Sequence, residues 1–511
     1  MKMSFQNKIM LVNDLVKKVE GLKKAGKVVV QSHGIFDLIH PGIINHLADA
    51  KGQGDILIVS VIKDKYIRRG SGRPIFTENL RAENVAALEQ VDYVCIVDDE
   101  IPFECVKLFK PDIFAKGQAH KDRDRIVNRK LYEEERALYF GKSRIYETHG
   151  YESFSSSRII NKFLDLYPEE TKQFLARFSK KHAFSRIARW LNDLKGLKVL
   201  VIGDGIIDEY HYCETMGRSS KNPIVVNRYV TQEVFAGGAF IIANHISGLC
   251  DEVKLVTLLG KDDPREEFIS NVLRPNITTK FFYRDDGPTI VKKRYINQNS
   301  SQKLFEVNYL NNNNIDAKCE RSVMDYLRSI IPTYDLVLVS DFGHGFITNN
   351  IIKLIESRAK RFAVNTQTNA ANTGFNMITK YKKPCFVCLD ETEARYATQD
   401  RFGDVENIAN KILNRIKADC LIITLGKKGS IAIDKTGNIN RTPIFSTKVV
   451  DTVGAGDAFF SFTAPCFAQG MPLDLISFIG NATGALAVQI VGNKKPVERH
   501  ELLEFIHTIL K

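Results

Sequence analysis

The chain has 511 residues, 44% of them hydrophobic and 26% charged, with a formal net charge of +12. That length exceeds one ordinary hydrophobic core and suffices for two, while no stretch approaches the ~20 apolar residues that span a bilayer and residues 1–10 carry no continuous apolar core, so no membrane partner and a cytoplasmic location are expected. The positive excess falls in short runs such as Lys23-Lys24, Lys180-Lys181-His182 and Lys382-Lys383, without an aromatic stacking platform, which argues against a nucleic-acid partner.

Residues 6–25 read as a leading helix that packs on the first module. Val28 to Gln31 is an apolar strand. From it Gly34-Ile35-Phe36-Asp37-Leu38-Ile39-His40-Pro41-Gly42-Ile43 runs into a helix with Pro41 at its first position. His40 therefore stands at a helix N-terminus, where unpaired N–H groups favour a phosphate. The string resembles the Gly-x-Phe-Asp-x-x-His-x-Gly-His motif of cytidylyltransferase-like nucleotidyltransferases. Arg73-Pro74, Arg81, the stretch from Pro111 to Gly117 and Phe154 to Ile160 match later segments of that family. The resemblance implies a Rossmann-like domain over residues 27–165 in which Gly34, Phe36, Asp37, Lys116, Ser155, Ser156, Ser157 and Arg158 bind a nucleoside triphosphate and His40 is catalytic. Such catalysis is positioning and charge stabilisation, because a sugar phosphate attacks the α-phosphorus and pyrophosphate leaves. The family's second histidine is here Ile43, which donates nothing; losing a donor of that kind costs on the order of 2.7 to 4 kcal/mol, or ~10²- to 10³-fold in rate. His46 lies one turn too far along to replace it. Lys63, Lys65, Arg68 and Arg69 are either remaining donors or a solvated basic loop.

Residues 166–194 read as a helical connector, with Trp190, Leu191 and Leu194 on a packing face. Lys198 to Asp204 is a buried strand ending in a turn, with Ile206-Ile207-Asp208 next. Alternation over residues 209–235 predicts further strands, and Ala236-Gly237-Gly238-Ala239 precedes a helical stretch from Phe240 to Leu249. Asn311 to Asn314 is a loop. Leu336 to Asp341 is a central strand that runs into a glycine loop ending at Gly345. The nine cysteines are odd in number and scattered, which indicates no disulfide framework. Cys385-Phe386-Val387-Cys388 lies in an apolar run without a second pair to complete a zinc site, and filling of apolar space is preferred to a redox or metal role. Leu421 to Leu425 is a strand entering the turn Gly426-Lys427-Lys428-Gly429. In Asp451-Thr452-Val453-Gly454-Ala455-Gly456-Asp457-Ala458-Phe459, the glycines let backbone N–H groups converge on an anion before an apolar helix. Asp457 is placed to take a proton from a hydroxyl.

The segments from residue 196 onward are similar, in order, to those of the ribokinase-like (PfkB) sugar kinases. That resemblance implies an anion hole at Gly454, Ala455 and Gly456 beside the base Asp457. It implies sugar contacts at Asp208, Gly237, Gly238 and Asp341. Asp390 and Glu393 would organise Mg²⁺ through water, Thr424, Gly426, Lys427 and Gly429 would cover the phosphates of ATP, and the loop from Gly492 to Pro496 would close around adenine and, in some relatives, a monovalent cation. The strands over residues 209–235 would form a lid and often a dimer contact. Two departures fall beside substrate: Ile241 replaces the usual asparagine, with Asn244 one turn away as a substitute or a surface amide, and Asn365-Thr366-Gln367 stands where heptose kinases have Asp-Pro-Lys.

The pairing resembles the bifunctional heptose-phosphate kinases/adenylyltransferases of ADP-heptose synthesis, with the module order reversed. The expected fold class is α/β: a Rossmann-like domain, then a ribokinase-like α/β/α domain with a small β lid over residues 195–511. The expected function is an ATP-dependent sugar or sugar-phosphate kinase joined to a nucleotidyltransferase, in a homodimer. The alternatives are a kinase whose first module only binds or assembles, and a scaffold without catalysis.

Overall fold

The structure, a computed structural model, describes residues 4–67, 72–99, 103–117, 143–148, 159, 166–370, 372–446 and 448–511. The chain divides into two compact units, residues 1–188 with 503–511 and residues 189–502. The helices expected between residues 166 and 194 are Glu169–Lys181 and Phe184–Asp193, and the division falls inside the second. Leu191 and Leu194 are buried there, and Trp190 is half-buried.

In the first unit, β1 (Val29–Gly34), β2 (Ile56–Ile62), β3 (Tyr93–Val97), β4 (Ile113–Gly117) and β5 (Arg144–Thr148) form one sheet in the order β3-β2-β1-β4-β5. All neighbours are parallel. β2 is apolar at nearly every position because a central parallel strand is buried on both faces. The order reverses between β1 and β4, and the crevice outside the carboxyl ends of such strands is where α/β sheets bind ligands. The helix Pro41–Lys51 starts there. The predicted leading helix is a 3₁₀ turn, Ser4–Lys8, then the helix Val12–Lys24, whose Leu15 and Val19 pack with Val29, Ile58 and Cys95.

The second unit holds two sheets. β6 (Lys198–Gly203) leads within two residues into the long hairpin of β7 (Gly205–Arg218) and β8 (Val225–Gly238). With β11 (Ile290–Asn297) and β12 (Lys303–Tyr309) these make a four-stranded sheet, β12-β11-β7-β8. The other sheet has nine strands. It comprises β6, β9 (Glu252–Gly260), β10 (Ile277–Arg284), β13 (Leu336–Asp341), β14 (Phe362–Thr366), β15 (Phe386–Asp390), β16 (Cys420–Thr424), β17 (Ser430–Asp434) and β18 (Ile439–Thr442). Its order is β10-β9-β6-β13-β14-β15-β16-β17-β18, with only the last two strands antiparallel to their neighbours. Leu200, Val337, Val339, Val387 and Leu421, all essentially inaccessible, form part of a continuous core between this sheet and the flanking helices. The helices Ala239–Ser247 and Ala455–Ala468 start at the carboxyl ends of its strands and of β8.

The nine cysteines are free thiols, eight buried and Cys319 half-buried. Burial pushes the Cys385 thiol up to about 12, which suits apolar filling and not a thiolate site.

Candidate active site

A cavity of about 390 Å³ opens in the second unit at the carboxyl ends of β14, β15 and β16 and beneath the four-stranded sheet. Asp457 lines it from the first turn of the helix Ala455–Ala468. Gly454 is the cap, at φ +80°, where a side chain would collide with the Asn493 amide. Gly456 is different: a Cβ there meets no protein atom within 4 Å, although the residue borders the cavity. No packing contact in the folded chain demands a glycine at that point, and its bare backbone leaves that stretch of the cavity wall open. The first-turn N–H groups of Gly456 and Asp457 have no helical acceptor and are left for an anion.

Asp457 is 6% exposed, and its carboxyl is raised to about 7, first by burial and then by the charge of Asp208. A 2.6 Å hydrogen bond from Gln367 Nε2 to Oδ1, and the nearby Lys292, oppose that rise. Asp208, on β7, is ion-paired with Arg294 of β11, which also reaches Glu306 at 2.7 Å. The Asn493 amide lies 3.4 Å from Asp208. Lys292 is the register partner of Asp208 on β11 and lines the same cavity, 9% exposed.

At the other wall, Asp390 caps the helix Glu391–Thr398 in a reciprocal box: Glu393 N–H donates to Asp390 at 2.7 Å, and Asp390 N–H donates to Glu393 at 2.9 Å. Thr368 N–H donates to the second Glu393 oxygen at 3.0 Å. Burial and the charge of Asp390 push the Glu393 carboxyl well above its ordinary range. Among the described residues no group of three or more His, Cys, Asp or Glu side chains is arranged to hold a metal directly. Two neighbouring carboxylates still fit Mg²⁺, which keeps several of its waters. Thr424 joins the wall, while Gly426 and Lys427 are exposed beyond it and Gly429 is built into the corner between β16 and β17.

In the first unit, His40 caps the helix Pro41–Lys51 and its Nδ1 accepts the Gly42 N–H at 3.1 Å. That contact puts the remaining proton on Nε2, and burial lowers the ring's affinity for a second one. His40 is thus a neutral donor at a helix N-terminus. The neighbouring groups are committed to the fold. Ile43 packs on the sheet core. His46 is bridged to Ser32 (2.8 Å) and Thr148 (2.6 Å), with burial lowering it to about 4. Lys63 and Lys65 both pair with Asp98. Gly34 ends β1 against the Phe36 ring, and Lys116 is half-buried at the end of β4. Ser155, Ser156, Ser157 and Arg158, with Arg68 and Arg69, lie outside the described residues.

A model described as pfkB family carbohydrate kinase matches residues 197–499, more than half of the chain. The chain belongs to that family. A second model, cytidylyltransferase-like, matches residues 32–162. The chain is 25% identical over 299 residues to the Bifunctional protein HldE of Trichlorobacter lovleyi, covering 58% of this chain and 60% of that one. It is 26% identical over 324 residues to the protein of the same name from Haemophilus influenzae strain PittEE, covering 63% and 66%. The chain thus spans about three fifths to two thirds of the length of these relatives. The tetrameric inhibited form of phosphofructokinase-2 from Escherichia coli superposes with a TM-score of 0.51 at 14% identity, covering 62% of this chain and all of that one, which fixes the fold of the kinase unit.

Several expected site residues sit elsewhere in that unit. Asp341 does not line the cavity: it is 1% exposed and its carboxylate is held by Tyr381 OH (2.5 Å), Lys380 (2.6 Å) and Gly343 N–H (3.0 Å). Gly238 borders the cavity, whereas Gly237 makes room for the Asp208 carboxylate. Asn244 is neither a sugar contact nor a surface amide, because it is buried and ties Val272 O to Arg274 N–H. Ile241 is buried in the same helix. In the loop from Gly492 to Pro496, the Asn493 side chain faces Asp208 and Gly454. In the first unit Asp37 accepts N–H groups of Ile75 and Phe76, so it anchors a loop instead of meeting nucleotide. Arg81, fully buried, is spent on Ile35 O, Ile62 O, Phe76 O and Asp64. Sequence reasoning missed Lys292 and Arg294. Their spacing of two on a strand puts both cations on one face, a signal that was present in the pattern Ile290 to Arg294.

Proposed function

We propose that the chain is an ATP-dependent sugar or sugar-phosphate kinase joined to a sugar-phosphate nucleotidyltransferase, acting in nucleotide-sugar synthesis of the ADP-heptose kind. The observation that carries the kinase half is Asp457: a buried carboxyl poised near neutrality, one residue from a glycine whose open side borders the cavity, in a cavity shared with the Asp208–Arg294 pair. The acceptor's hydroxyls would bind Asp208, and one of them would face Asp457. As the γ-phosphoryl group arrives, Asp457 takes the hydroxyl proton and the N–H groups of Gly456 and Asp457 meet the charge that develops on the phosphoryl oxygens. ATP would lie along Thr424 and the turn Gly426–Lys428. Mg²⁺, held through water by Asp390 and Glu393, would supply neutralisation of the triphosphate. A monovalent cation rests on the family resemblance alone. Replacing Asp457 with Asn tests the assignment: ATP binding measured by calorimetry is retained and phosphoryl transfer is lost.

For the nucleotidyltransferase half, His40 Nε2 at the switch point between β1 and β4 would donate to the triphosphate. A second reading, a first module that only binds nucleotide or sugar phosphate, is favoured by Ile43, an apolar side chain packed against the core where a donor would be needed, and by His46 being bound on both ring nitrogens. Release of pyrophosphate from a nucleoside triphosphate and a sugar 1-phosphate, abolished by His40→Ala, would remove that reading; no release would establish it. Among the described residues no helix is long and apolar enough to cross a membrane, and a cytoplasmic location is part of the proposal.

A further inference from the structure

Gln367 is the first residue after β14, and its main chain is pinned on both sides. Its N–H donates to Asp341 O at 2.9 Å, and its carbonyl accepts from the Asn376 amide at 3.1 Å. Asn376 also donates to Asp341 O (2.8 Å) and accepts from Lys380 (2.6 Å), which is the cation paired with the Asp341 carboxylate. Asn369 and Asn372 both donate to Phe342 O, and so tie the segment after Gln367 to the segment after β13. The result is a braced corner with one side chain released into the cavity. That side chain spends its amide N–H on Asp457 Oδ1 at 2.6 Å.

We infer that Gln367 is a positioning residue for the kinase reaction: it occupies Oδ1 of Asp457 and thereby assigns Oδ2 as the oxygen that receives the acceptor's proton. The inference rests on the reading of Asp457 as the base. A carboxylate free to rotate about its last bond presents either oxygen, and a fixed donor on one of them removes that freedom before the substrate arrives. A hydrogen bond from a neutral amide also favours the charged carboxylate over the acid. The charged groups that face Asp457 are Asp208 with its partner Arg294 on β7 and β11, Lys292 on β11, and Glu393 on the helix after β15. Burial and Asp208 raise the carboxyl, and Lys292 and Gln367 lower it. Of these, only Gln367 makes a hydrogen bond to the Asp457 carboxylate.

The pH dependence of kcat in Gln367→Leu, Gln367→Lys and the native chain tests this. Leu removes the donor, so the acid limb moves up by about one pH unit, with the plateau kcat down ~10-fold and both KM values within about threefold. Lys restores a donor with a full charge, so the limb moves below that of the native chain. A limb that stays put in both variants, or an acceptor KM that rises while the limb is fixed, overturns the inference and makes Gln367 a binding residue. If Gln367→Leu fails to fold, the downward shift in Gln367→Lys decides alone. Asp457→Asn is run beside them: full turnover in that variant removes the base reading itself, whereas an inactive Asp457→Asn with unmoved Gln367 limbs removes only the present inference.

Discussion

Asp457 carries three separate physical demands in one side chain: it is buried, it faces another carboxylate, and it sits where helix N–H groups attract negative charge. The first two raise its pKa to about 7, which places proton affinity near the pH at which a base is most useful. Below that pKa the carboxyl is protonated and cannot accept, so kcat for phosphoryl transfer falls about tenfold per pH unit on the acid side and levels above it. A stopped assay of ADP release between about pH 5 and 9 checks this, and a flat profile counts against Asp457. Gly456→Ala is a cleaner test of the cradle than any charged substitution, because the added methyl meets no protein atom within 4 Å. The melting temperature should stay unchanged while the KM for ATP rises at least ~10-fold; unchanged KM would mean that no ligand rests there. At His40 the tautomer is set by the Gly42 N–H. Its alanine variant loses pyrophosphate release and leaves kinase turnover intact.

The helix Ala455–Ala468 points its first turn at the cavity because the loop before it is bolted in place. Asp451, 8% exposed, accepts from Tyr210 OH (2.8 Å), Gly492 N–H (2.9 Å) and Val453 N–H (3.2 Å) and pairs with Lys303 at 2.8 Å. Asp451→Ala leaves these donors without their acceptor; since Lys303 is partly solvated, a loss of roughly 2 kcal/mol is expected in denaturant unfolding, together with a weaker KM for ATP. No change in either would contradict the bolt. Individual strands such as Lys198–Gly203, Leu336–Asp341 and Cys420–Thr424 and the glycine turns were legible in the sequence because apolar runs and Gly-rich punctuation are local signals, whereas their assembly into sheets was implied by the family resemblance. The site was legible wherever a local motif itself faced the cavity, as at Gly454, Gly456, Asp457, Asp208 and Thr424. It was not legible where a motif residue is taken up by a distant partner: Asp341 by Tyr381 and Lys380, Asp37 by Ile75 and Phe76, Asn244 by Val272 and Arg274. Spacing along a chain does not reveal which hydrogen-bond donor lies across the fold. Lys292 and Arg294 belong to β11, far ahead of Asp457 in the chain, and reach the site only through the register of β11 on β7.

At the scale of the whole chain, the two proposed chemistries fall to two folding units, and each is expected to survive loss of the other. The four-stranded sheet exposes Met216, Val225, Tyr229, Phe305 and Val307, each at least 40% accessible, an apolar group of the kind that marks an interaction surface. We propose that this face joins two copies of the chain. Light scattering behind gel filtration should give a dimer for the native chain and a monomer for Val225→Asp with Tyr229→Asp; a native monomer would refute it. The role of the carboxylate at residue 457 is measured most directly by product mass. Native chain and Asp457→Asn are incubated with ATP, Mg²⁺ and a panel of sugars and sugar phosphates, and the acceptors are weighed. A species one phosphoryl group heavier is expected with the native chain and none with Asp457→Asn; the same heavier species in equal yield from both would rule out Asp457 as the base.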